Sequence, residues 1–333
     1  MDSHRYEFHC HDLGRMLGPT VGCLALGAAV LHAGAMFGWW PAPRPATDID
    51  RTILIHQAEA SRMPTGASVL LIGDSSCLMN VVATRLEEVL GEPVINLATL
   101  SYLDLPTHAR LVREYAIANP QSLRTVVLLM HPESLRLAAA PDYFRGQIED
   151  FLAGHDSMPS KTIDARAAAV LGIPQLRGRI LSRMLPWPLP GEYGRQYGFA
   201  AGLETAMRRE GGSAIDPHRY RPEEARGNAE YRLATRIESE SRRFREHWPA
   251  GVRLVVGITP TPESFALADH ADRCRVMLHE WAGWLQADAP LEDLPLMLPD
   301  DRFASVAHLD ADSRVPYTAL LGRELAALSR LQP

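Results

Sequence analysis

Two short stretches of this chain hold the residue types that acyl-transfer chemistry requires. The first is Val69-Leu70-Leu71-Ile72-Gly73-Asp74-Ser75-Ser76, an apolar run that stops at Gly-Asp-Ser and is followed by a helical pattern over Asn80 to Leu90. A buried parallel strand ending this way delivers a serine to the carboxyl edge of a sheet, where open α/β folds bind their ligands. Glycine permits the sharp turn, and a serine ahead of a helix has unpaired backbone N–H groups beside it. Ser75 is therefore a candidate nucleophile with oxyanion donors close by. The same tripeptide also fits an ordinary strand-to-helix turn with serine as the N-cap. The second stretch, Phe303-Ala304-Ser305-Val306-Ala307-His308-Leu309-Asp310, places His308 in a loop just before the final helix. From there it can return to the same sheet edge as a general base. Taken alone, His308 reads as a structural histidine.

Both residues depend on the elements that carry them. Strands are predicted over Ser68–Ile72, Pro93–Leu97, Thr125–Met130 and Arg253–Ile258. Helices are predicted over Asp48–Ala60, Asn80–Leu90, Thr107–Ala118, Asn228–Trp248, Arg273–Gln286 and Pro316–Leu328. Apolar strands alternating with amphipathic helices predict an α/β fold, a doubly wound parallel sheet in three flavodoxin-like layers. The region from about 135 to 227 breaks the alternation and reads as an insertion over the sheet's functional edge. It contains Arg177-Gly178-Arg179, a basic stretch leading to Trp187. It also contains the Tyr193, Tyr197 and Phe199 loop, whose rings are suited to stacking on a sugar.

The chain has 333 residues, 46% hydrophobic and 22% charged, which is enough for a full core. A net charge of −6 gives no reason to expect a nucleic-acid partner. The four cysteines are scattered and show no zinc spacing. Buried free thiols are expected, with a Cys77–Cys274 bridge as the alternative. From Met16 to Pro43 there is no Asp, Glu, Lys or Arg, and Trp39-Trp40 stands at one end. That length and flank predict a transmembrane anchor over 16–40, since a bilayer core needs roughly 20 apolar residues. A cleaved signal ending at Ala33-Gly34-Ala35 and a buried helix are its rivals. The organisation expected is a tail (1–15), the anchor (16–40), a linker and leading helix (41–65), and one catalytic-type domain (66–333).

The Gly-Asp-Ser turn and the late histidine, in this order, resemble the SGNH (GDSL-type) hydrolase family over roughly residues 66 to 330. There the serine follows the first strand, and the base histidine sits in an Asp-x-x-His motif before the last helix. Val94-Ile95-Asn96-Leu97-Ala98-Thr99 falls where the family's second block enters an oxyanion loop, and Val255 to Pro262 looks like its late strand. Two departures stand out. Asp-x-x-His reads Ser305-Val306-Ala307-His308, without the carboxylate. The Gly-x-Asn-Asp block reads Leu129-Met130-His131-Pro132-Glu133-Ser134, without the Asn. Asp300, Asp301 or Asp310 is then left to orient His308. Asp74, His131 and the backbone amides of Ser75, Ala98 and Thr99 are the remaining orienting or oxyanion candidates.

The anchor and the Pro132-Glu133-Ser134-Leu135 segment resemble the membrane-attached branch of this superfamily. It includes the alginate O-acetylation proteins and the teichoic-acid D-alanylation partner protein. The resemblance implies a single-pass bacterial inner-membrane protein with its domain in the periplasm. It would act on an envelope or exported polysaccharide beside a membrane-bound O-acyltransferase. Acyl transfer through Ser75 and His308 needs no metal and no organic cofactor. The alternative is a catalytically inactive SGNH-like module that binds glycan or the membrane partner, which the two motif losses favour. A plain esterase is a third reading.

Overall fold

Strand β1 (Val69–Gly73) has all five residues buried, because the apolar faces of amphipathic helices cover both sides of the sheet it belongs to. The computed structural model describes residues 10–36, 49–100, 103–136, 142–153, 206–224 and 232–330. It separates two units, 1–45 with 156–186 and 46–155 with 187–333.

The second unit is α/β. In chain order it runs α2 (Ile49–Ala60), β1, α3 (Ser75–Asn80), α4 (Ala83–Leu90), β2 (Val94–Asn96), α5 (Leu105–Ala118) and β3 (Thr125–Met130). Next come α6 (Pro132–Arg136), α7 (Asp142–Leu152), α8 (Thr235–Phe244), β4 (Arg253–Ile258), β5 (Thr261–Pro262), α9 (His270–Leu285), β6 (Ala289–Pro290), β7 (Met297–Leu298) and α10 (Arg314–Arg330). The five-stranded sheet has the order β2-β1-β3-β4-β6 and every pairing is parallel. This doubly wound order reverses direction between β1 and β3, the crevice where such sheets bind ligands. Strands β5 and β7 form a separate parallel pair.

Alternate strand residues face opposite layers. Leu70, Ile72, Val126, Leu128, Leu254 and Val256 join α5, α8 and α9 in one core, which includes Tyr115, Phe244 and Trp281. Val69, Leu71, Val127, Leu129 and Val255 join α3, α4 and α10 in the other, with Leu78, Leu86, Tyr317 and Leu321. A smaller cluster ties α2 to α7 through Leu54, Ala58, Ile148 and Leu152. The near-continuous apolar strands follow from this burial on both faces.

The helix predicted from Asn80 begins at Ser75, because the Asp74 carboxylate caps it by accepting the Ser76 N–H. It then breaks at Val81 and Val82, both extended, before α4 resumes. The helix predicted over 228–248 spans Thr235–Phe244, with 225–231 outside the described residues. Strand β6 was not predicted, since two residues ending in proline carry no periodicity.

Helix α1 (Cys10–Met36), 27 residues long with Pro19 inside, lies in the first unit. The expected 16–40 span is not found: among the described residues no helix is long and apolar enough to cross a membrane. Gly18, Pro19, Thr20, Gly22 and Gly27 supply little apolar surface, and Trp39, Trp40 and the 41–45 linker lie outside the described residues. The Arg177–Trp187 and Gly191–Phe199 stretches also lie outside them.

Candidate active site

Because all strands run in parallel, the residues after β1, β2, β3 and β4 share one sheet edge. Gly73 makes the turn out of β1 possible. Its φ is +146°, and a Cβ there would stand 1.8 Å from the Leu129 carbonyl oxygen, so only glycine fits. Asp74 then anchors the turn. Its Oδ1 accepts the Ser76 N–H at 2.9 Å and the Ser76 hydroxyl at 2.5 Å, and its Oδ2 accepts the His131 N–H at 2.9 Å. The Thr259 hydroxyl, beyond β4, donates to Ser76 Oγ at 2.8 Å. Three strand ends are thereby tied together under Ser75.

Ser75 Oγ donates to His308 Nε2 at 2.8 Å. His308 Nδ1–H donates in turn to Asp216 Oδ2 at 2.6 Å. The orienting carboxylate is thus Asp216, from the 135–227 region. Asp300 and Asp301 are displaced from that role: Asp300 Oδ1 accepts the Ser264 N–H, and Asp301 lies exposed beside Arg302. Asp310 accepts the Ser313 N–H. Burial pushes the Asp216 carboxyl up, but the bonds and charge of His308 and the donors of His218 outweigh it and hold it at about 2. An ionised Asp216 fixes the His308 proton on Nδ1 and leaves Nε2 free to accept from serine.

The His308 loop is latched from two sides. Asn80 Nδ2 donates to the Ala307 carbonyl, and Asn80 Oδ1 accepts the Leu309 N–H at 2.7 Å. His131 Nδ1 accepts the Glu133 N–H, so its Nε2–H donates to the Val306 carbonyl at 3.2 Å. Burial pushes the His131 imidazole down to about 4, although Asp74 pulls the other way, so the ring is neutral. Its work is to hold the loop.

The oxyanion expectation for Ala98 and Thr99 is corrected. The Ala98 N–H donates to Asn96 Oδ1 at 2.9 Å and the Thr99 N–H to the Gly73 carbonyl at 3.0 Å, so both amides are committed. The Ser75 N–H opens α3, where the helix itself supplies no acceptor, and unlike the capped Ser76 N–H it has no partner among the described residues. Cys77 is buried and free, and burial holds its thiol well up, so it is no rival nucleophile at neutral pH. Cys274 is also a buried free thiol, raised to about 12 by burial. Among the described residues no group of three or more His, Cys, Asp or Glu side chains is placed to hold a metal ion.

No family model, no curated protein and no solved structure matches the chain.

Asp216 was missed in the sequence because its partner is 92 residues away and no spacing rule links them. What brings it to the site is the segment 206–216. Gly212, at φ +96°, passes so close to β2 that a Cβ would lie 2.0 Å from the Asn96 carbonyl oxygen. Gly211 O accepts the Asn96 N–H, and Ala214 N–H donates to the Leu78 carbonyl. Buried Arg314 donates to the Ala214 carbonyl at 2.8 Å and to Glu210 at 2.6 Å. The local signals available were the Gly211-Gly212 pair before Asp216 and His218 two residues after it.

His108, buried on α5, has no partner at either ring nitrogen among the described residues. Burial pushes it from 6.5 down to about 4 against the opposing pull of Asp104 and Asp74. The unfolded chain therefore takes up a proton first as pH falls, and stability is lost progressively between pH 6.5 and 4. His108→Leu is expected to stabilise the protein by about 1 kcal/mol at pH 8, and by more at pH 5. Urea midpoints at the two pH values check this, and a variant as acid-sensitive as the parent contradicts it.

Proposed function

We propose that this chain is an SGNH-like serine acyltransferase or esterase. On this reading it transfers an acyl group on an envelope or exported polysaccharide, at a bacterial inner membrane with its domain in the periplasm. The observation that carries the reading is the linked series Ser75, His308 and Asp216, at 2.8 and 2.6 Å. The order serine first, histidine last matches the family resemblance described above. The loss of the Asp-x-x-His carboxylate, which favoured an inactive module, is offset by Asp216.

In the reaction, Ser75 Oγ attacks the carbonyl carbon of an acyl donor while its proton passes to His308 Nε2. Asp216 stabilises the imidazolium, and the Ser75 N–H donates to the developing oxyanion. His308 returns the proton to the leaving oxygen as the C–O bond breaks. A sugar hydroxyl then attacks the acyl-serine, with His308 as base, and restores free Ser75. Among the described residues only the Ser75 amide is assigned to the oxyanion, and each such donor supplies about 10²–10³ in rate. The missing Asn of the Gly-x-Asn-Asp block, where Leu129 to Ser134 stand, supports the second reading, a non-catalytic module that binds glycan or a membrane-bound O-acyltransferase partner.

Helix α1 exposes Met16, Leu17, Val21, Leu24, Leu26 and Val30, an apolar surface that water disfavours. Membrane attachment through it is part of the proposal. Fractionation of the full chain tests that part: retention in membranes after a high-salt wash is expected, and full release contradicts it.

With 4-nitrophenyl acetate and detergent-solubilised protein, a burst of about one equivalent of nitrophenol is expected, followed by slow turnover because no sugar acceptor is present. Ser75→Ala is expected to abolish the burst, and Asp216→Asn to slow it by about 10⁴. Absence of a burst from the folded parent favours the binding module.

A further inference from the structure

Asp216 is shared by two histidines. Its Oδ2 accepts from His308, while its Oδ1 accepts the Nδ1–H of His218 at 2.5 Å and the backbone N–H of His218 at 3.0 Å. The Asp216 side chain is 1% exposed and that of His218 39% exposed. We propose that His218 is a positioning residue for the acyl-transfer site, the fourth member of a His218–Asp216–His308–Ser75 series; this rests on the catalytic reading above.

The ring bond acts on the rotational freedom of the Asp216 carboxylate. A carboxylate held by a single bond can swing about its Cβ–Cγ axis and offer either oxygen, or neither, to His308. The backbone N–H of His218 closes a local turn onto Oδ1 but lies on the same short segment as Asp216 and constrains it weakly. The imidazole adds a second donor to the same oxygen. With Oδ1 occupied twice, Oδ2 is left in the plane that His308 Nδ1–H needs. The same bond fixes the His218 tautomer: an ionised carboxylate can only accept, so Nδ1 carries the proton. No proton passes through His218 during turnover, because Asp216 stays ionised.

Truncation separates this role from a merely structural one. His218→Ala keeps the backbone N–H and removes only the ring donor. His218→Asn puts an amide N–H close to where Nδ1 stood. The His218 side chain is substantially exposed, so neither change opens a cavity in the core.

The test is the rate of the nitrophenyl acetate burst against ester concentration. His218→Ala is expected to lower the saturating acylation rate by about tenfold, the loss of one hydrogen bond to a charged group, with the half-saturating concentration unchanged. His218→Asn is expected to restore most of it, and both variants to keep the parent's urea midpoint. A parental saturating rate in His218→Ala overturns the proposal while leaving the catalytic reading intact. Equal losses in Ala and Asn variants also overturn it, since the donor then is not what matters. A folded parent with no burst at all overturns the catalytic reading and this proposal together.

Discussion

A carboxylate that is all but removed from water has to be paired, and the organisation around the site follows from meeting that demand at Asp216. An unpaired buried charge costs several kcal/mol. Here three N–H donors, two of them from imidazoles, surround the group and keep it ionised. Those donors come from two parts of the chain, so the 206–218 segment and the 303–309 loop must be held in fixed relation. Arg314 does much of this. It is itself buried, and its two bonds to the segment pair its charge with Glu210 while fixing the approach to Asp216. Gly212 allows that approach by letting the chain pass against β2.

The serine side is built by the same logic from different parts. Asp74 spends both oxygens on structure, capping α3 with one and holding the end of β3 with the other. It is therefore a support for the turn, not a catalytic group. The neutral His131 passes that support to the His308 loop, and Asn80, at the end of the helix that Ser75 begins, clamps the same loop at Ala307 and Leu309. Serine and histidine are thus registered against each other through rigid strand and helix ends, which suits a geometry that must hold to within a fraction of an ångström.

What could be read in the sequence follows from how local each signal is. Strands β1, β3 and β4 are near-continuous apolar runs because helices cover both faces, and a run of that kind is visible without knowing its neighbours. The turn at Gly73 is likewise local, which is why Ser75 stood out. His308 stood out only in combination with it. Asp216 had no such help: it lies in an irregular region, and its role exists only once Gly212 and Arg314 have brought the segment across the sheet edge. Ala98 and Thr99 were misassigned for a related reason. Whether a backbone amide is free depends on acceptors such as Asn96 Oδ1 and the Gly73 carbonyl, which no side-chain pattern reveals. The 16–40 anchor was expected from an uncharged length and a terminal Trp pair, but Gly18, Pro19, Thr20, Gly22 and Gly27 make the helix less apolar than that length suggests.

In the proposed reaction Ser75 is a nucleophile made reactive by His308 and Asp216. Intact-mass and peptide mapping of the full-length protein after exposure to a fluorophosphonate measure it most directly, because the probe forms an Oγ–P bond and expels fluoride only at an activated serine. The account predicts one adduct per chain, mapped to Ser75, absent from Ser75→Ala and strongly slowed in His308→Ala. A folded protein that gains no adduct, or carries it at Ser76 or elsewhere, contradicts the account.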